Sequence, residues 1–191
     1  MNHQDNTTAG SILCQACGLC CQACFHKYVG LESPEAIPAK QLGLIVVHEP
    51  HPDALNFTLP CPLWEGECTI YDHPAKPRAC GLFKCQLLIA LQDGQISLEQ
   101  ALQYVEKTVN LFWELNRKFP DDDAGRTMIE KLGLMINNLE NQANQGNPET
   151  GELLLKAGIL ASCLSRYFGV MDIYSHHIQR AEHAKMDTTE D

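Results

Sequence analysis

Nine of the ten cysteines fall within the first 85 residues, and five of them form one run, Cys14-x2-Cys17-x2-Cys20-Cys21-x2-Cys24. Cys61, Cys68, Cys80 and Cys85 follow after a gap. Thiolates are the donors that soft and borderline metals prefer, and short spacings let one turn of backbone offer two of them to one ion. Eight residues are therefore candidate metal ligands: Cys14, Cys17, Cys20, Cys21, Cys61, Cys68, Cys80 and Cys85. They suffice for two tetrahedral sites, or for one cluster with spare thiols. A C-x2-C-x2-C run supplies three ligands to several cubane clusters, a fourth cysteine arriving from elsewhere. The second group, C-x6-C-x11-C-x4-C, is too widely spaced for a zinc-ribbon knuckle. The pattern leans towards an iron–sulfur cluster over structural zinc. Cys24 is either a spare ligand or a packed thiol, and Cys163, in an apolar helical pattern, reads as a small buried hydrophobe.

The compartment decides how cysteines are read. The first residues carry neither the basic stretch nor the apolar run of a secretory signal. No uninterrupted apolar run, Leu44 to Val47 included, comes near the length of a membrane span. The expectation is a cytoplasmic protein without membrane partners, where thiols stay reduced and a cysteine cluster binds metal or does redox work. A formal net charge of −10 disfavours nucleic acid. Between Tyr71 and Cys85 the balance reverses locally, with Lys76, Arg78 and Lys84 against Asp72 alone. Such an excess beside thiolates would offset the charge of a cysteine-bound centre.

The elements that must position these thiols divide the chain into a cysteine-rich metal-binding domain over 11–94 and a helical region over 95–175. Residues 1–10 and 179–191 read as disordered tails. From Ile12 to Phe25 the cysteines at 14, 17, 21 and 24 suit one helix face, while Gly18 and Cys20-Cys21 equally suit a knuckle around an ion. A loop with Pro34 and Pro38 leads to a β-rich run, Leu42–Val47. With the alternating Leu55–Leu59 it makes a plausible hairpin. Cys61–Cys68 reads as a turn centred on Gly66, Thr69–Tyr71 as a short strand, and Pro77 as the start of a helix ended by Asp93-Gly94. On a continuous helix Cys80 and Cys85 would point apart, so ligation of one centre by both requires a late start or a break near Gly81. Ser97-Leu-Glu-Gln100 is a capping box opening a helix that Pro120 ends. Further helices are expected over about Thr127–Leu139 and Leu153–Phe168, the latter closed by Gly169. Asp121–Gly125 reads as the turn before the first of these. The expected class is α+β, mostly helical, with a short hairpin in the cysteine domain and a helical bundle or hairpin behind it.

Taken together, Cys14-x2-Cys17-Gly18-x-Cys20-Cys21, Cys61-Pro62, Gly66-x-Cys68-x-Ile70-Tyr71, Pro77-x2-Cys80 and Phe83-x-Cys85 form a specific signature. It resembles the YkgJ-type CxxCxxCC family, described as zinc- or iron-chelating domains. The resemblance covers residues 14–85 and implies a cysteine-bound metal centre. A similar arrangement occurs in the larger flagellin lysine methylases. The family usually carries an Arg before the proline and another after the following cysteine; here those places hold Lys76 and Gly81. Two extra residues also separate Tyr71 from Pro77. Lysine does not reproduce the planar fork of arginine, so a role resting on that pair does not transfer.

Three function classes remain: a redox-active or chelating metal protein, a structural zinc module whose helical half binds a protein partner, and an enzyme of methyl transfer or redox chemistry working beside the metal. His48-x2-His51 offers nitrogen donors, but its prolines favour a surface turn. Trp64 and Tyr71 read as covers for the site. The chain has no phosphate loop, dinucleotide fingerprint or Ser–His–acid order, and Asp121–Gly125 lacks a calcium-loop pattern.

Overall fold

The computed structural model describes residues 3–119, 125–143 and 148–170. Among these the chain is α+β and mostly helical. The helices are α1 (His3–Cys17), α2 (Ala36–Gln41), α3 (Gln86–Gln92), α4 (Leu98–Asn116), α5 (Met128–Ala143) and α6 (Pro148–Phe168). Three short strands, β1 (Tyr28–Gly30), β2 (Val46–Val47) and β3 (Asn56–Thr58), form one antiparallel sheet in the order β1-β3-β2. Tyr28 pairs with Thr58 and Val46 with Phe57.

The apolar residues separate into two cores. The larger one joins Leu13 of α1, Leu19, Cys24 and Phe25 of the following turns and Leu87, Leu88 and Leu91 of α3 to the buried stripes of α4, α5 and α6. It crosses the boundary expected near residue 94. The smaller one is Ala39, Leu44 and Phe57, under the sheet. Ser97 opens α4 as expected: its hydroxyl accepts from the Gln100 N–H, and the Gln100 side chain accepts from the Ser97 N–H. Thr127 and Glu130 repeat the device at α5.

Several expectations are corrected. The segment 1–10 was expected as a tail, but α1 reaches back to His3 and buries Gly10, because its C-terminal turns have α3 and α4 to pack on. The loop around Pro38 contains α2. The hairpin is present as β2–β3 but is shorter than the runs suggested, and it gains β1 as a partner. Thr69–Tyr71 is a turn, its N–H groups bonding locally to Leu63 and Cys68 carbonyls. The helix expected from Pro77 is split into a 3-10 turn, Arg78–Gly81, and α3. α5 extends to Ala143, past the expected Leu139, and α6 starts at Pro148. Pro120, residues 121–124 and the tail at 179–191 lie outside the described residues.

Candidate metal centre

Cys14 and Cys17 stand on the last turns of α1, which ends there because Gly18 takes a φ of +60°. The chain then folds into successive turns, with Gln22 N–H donating to the Gly18 carbonyl at 3.0 Å and Cys24 N–H to the Leu19 carbonyl at 3.0 Å. Cys20 and Cys21 lie in this knuckle. Of the two forms open to residues 12–25, the chain uses helix up to Cys17 and turns beyond it. Gly18 is required for a second reason. A β-carbon there would come within 2.0 Å of Trp64 Cζ2, so the indole lies directly on the glycine backbone. The knuckle is anchored to α5 by the Met128 N–H, which donates to the Ala23 carbonyl at 3.1 Å.

The second group of cysteines is brought to the knuckle by main-chain bonds. The Cys61 N–H donates to the Cys21 carbonyl at 2.7 Å, and a β-bridge between Trp64 and Cys68 closes the turn that carries Gly66 at φ +91°. Cys80 stands on the 3-10 turn, whose first N–H, that of Arg78, donates to Glu35 Oε1 at 2.7 Å. Arg78 also pairs with Glu32 at 3.0 Å. Cys85 is the N-cap of α3; its sulfur accepts from the Leu88 N–H at 3.4 Å. Phe83 steadies the segment between them, edge-on to His26 with ring centroids 5.3 Å apart.

The consequence is a cavity of about 350 Å³ between the two cores, lined by Cys14, Cys17, Cys20, Cys21, Cys61, Cys68, Cys80 and Cys85. All eight sequence candidates thus line one space. Trp64, Tyr71 and Lys76 line it as well, Lys76 lying 3.8 Å from the centre of the Tyr71 ring. Cys24 does not line it and is fully buried in the larger core. His48 and His51 are exposed on their turn. His26 lines the cavity although its sequence neighbours gave no sign of it.

Every one of these thiols for which a shift is resolved titrates above the ordinary 9.0, with burial as the largest cause. Cys17 and Cys21 are pushed up to about 12 and Cys80 to about 11. Neighbouring thiols add to the effect. Cys85 raises Cys14, Cys17 and Cys20, while Cys61 and Cys68 raise both Cys21 and Cys80. Lys76 opposes the rise at Cys14 and Cys80. A space that crowds protonated thiols favours whatever replaces their protons with positive charge.

Among the described residues, no group of three or more His, Cys, Asp or Glu side chains is positioned to hold a metal ion. The thiols surround the cavity without converging at coordination distance. The donor set nevertheless has the chemistry a thiophilic metal or cluster takes. No helix among the described residues is long and apolar enough to cross a membrane. No family model, curated protein or solved structure matches the chain.

Proposed function

We propose that this chain is a cysteine-ligated metal-binding protein whose centre is an iron–sulfur cluster in a redox or cluster-supported role. The observation that carries the reading is the cavity into which eight of the ten cysteines are gathered, from four separate stretches of chain. A cluster would supply electron transfer or substrate activation there. The chain's own residues supply the thiolates, one cation (Lys76) shared by both ends of the cavity, and an aromatic cover from Trp64 and Tyr71. A cysteine run that offers three ligands with a fourth from elsewhere suits a cubane cluster, and the cavity has room for more than a bare ion. The resemblance to the YkgJ-type family agrees with metal chelation.

A structural zinc module with a partner-binding helical half is the second reading. It is favoured by Leu155 and Ile159, exposed one turn apart on α6, with Leu134 exposed on α5. Metal and acid-labile sulfide analysis of protein purified without oxygen, with an absorption spectrum, separates the two. Iron, sulfide and a broad visible band are the expected result. Colourless protein with stoichiometric zinc would replace the first reading by the second, and protein that takes up neither would overturn both.

A further inference from the structure

We propose that the eight cysteines form two separate four-thiolate centres, an inner one of Cys14, Cys17, Cys20 and Cys85 and an outer one of Cys21, Cys61, Cys68 and Cys80, divided by the Cys20–Cys21 peptide. The proposal rests on the metal-binding reading above and deepens it.

Packing makes the first division. Cys14, Cys17, Cys20 and Cys85 all pack against the larger core, whereas Cys61 packs against the smaller one, under the sheet. Connectivity makes the same division. The inner thiols come from the end of α1, the first knuckle turn and the N-cap of α3, and α1 and α3 lie in contact. The outer thiols are Cys21 of the knuckle, Cys61 and Cys68 on the turn closed by the Trp64–Cys68 bridge, and Cys80 on the 3-10 turn, with the Cys61 N–H donating to the carbonyl of Cys21. The sets meet in the knuckle, where Cys20 and Cys21 are neighbours in sequence.

Stereochemistry explains why the boundary falls there. Side chains of adjacent residues leave the backbone in different directions, so a Cys-Cys pair is poorly made for one ion and well made for a wall between two. The break between the 3-10 turn and α3 serves the same end, putting Cys80 on the 3-10 turn and Cys85 at the N-cap of α3 rather than on one continuous helix. Lys76 lines the same cavity as both sets and is placed to offset thiolate charge there.

Cobalt(II) is the probe, because a tetrahedral thiolate site gives it intense colour and an ion binds without sulfide or assembly factors. The reduced, metal-free full chain is titrated without oxygen, alongside Cys85→Ser, Cys68→Ser and Cys68→His. Serine is itself a preferred N-cap, so Cys85→Ser keeps the start of α3. Cys68→His retains a donor, and circular dichroism reports whether each variant keeps its helices. The expected result is two equivalents of cobalt in the natural chain and one in each serine variant. Cys68→His should keep two, with the band of one centre shifted and the other unchanged. One equivalent in the natural chain, or loss of all cobalt in a helical serine variant, would overturn the division while leaving metal binding intact. No cobalt thiolate band in the natural chain would overturn the metal-binding reading itself.

Discussion

Gly18 shows how narrowly single residues shape the cavity. Its φ of +60° turns the chain out of α1, and the Trp64 indole occupies the place a side chain would need. Gly18→Ala therefore meets both a backbone penalty and a clash, and should cost about 1–3 kcal/mol in chemical denaturation. The emission of Trp64, followed in a Trp113→Phe background, should shift to the red as the indole is displaced; an unchanged spectrum and stability would refute the close approach. The thiols make a second prediction at this scale. Cys17 and Cys21 titrate near 12 and Cys80 near 11, against 9.0 for an ordinary thiol. A folded-state value above the unfolded one means that the folded chain holds its protons more tightly. This stability is fully present below pH 9.0 and is lost as the pH rises towards 11–12. The melting temperature of the metal-free chain should fall by several degrees between about pH 8 and pH 10.5, an effect of order 1 kcal/mol or more for a thiol shifted by a unit or more. Metal affinity should rise over the same range, because binding displaces those protons. A flat melting temperature would show that the thiols are not held in a desolvated space. The ligand candidates were legible as residues because cysteine spacing is a local signal. His26 was not, since its place at the cavity depends on Phe25 and Phe83, whose rings come together only in the fold.

Among the elements, those opened by side-chain caps were the easiest to read. Ser97 and Gln100 announce α4 because a capping box satisfies two end N–H groups from within four residues. Elements that owe their form to distant partners were misread. Thr69–Tyr71 has strand-like composition, but the Thr69 and Tyr71 N–H groups close turns onto the Leu63 and Cys68 carbonyls. The break between Arg78–Gly81 and α3 lies hidden in the sequence because it is imposed partly by Glu35, far back in the chain. That carboxylate accepts from the Arg78 N–H at 2.7 Å and from the Glu32 N–H at 2.8 Å, which holds it below the usual carboxylate range. The exposed Arg78–Glu32 ion pair adds little by comparison. Glu35→Ala should release the turn that carries Cys80. Amide hydrogen exchange over 78–81 should accelerate about fivefold, the equivalent of one hydrogen bond worth ~1 kcal/mol, while exchange in α4 stays unchanged. Equal rates in variant and natural chain would mean that the turn is held by something else.

Seen as a whole, the molecule places its cysteines where two unequal cores meet. The larger core supplies a rigid wall of helices, and the smaller one carries the loops that bring Cys61, Cys68 and Cys80 across the cavity. The fold class was legible because long amphipathic helices dominate the second half. The junction was not, because the larger core crosses from the cysteine-rich segment into the helices, and no local pattern marks such a crossing. The thiols stand around the cavity without converging on a point, so the proposed centre would require them to draw inwards on loading. X-ray absorption at the metal edge of the full chain, purified without oxygen, reads the outcome directly. The account predicts iron with a shell of sulfur alone, metal–sulfur distances near 2.3 Å and an iron–iron path from a cluster. Iron held mainly by nitrogen or oxygen, or a chain that carries no thiolate-bound metal, would contradict it.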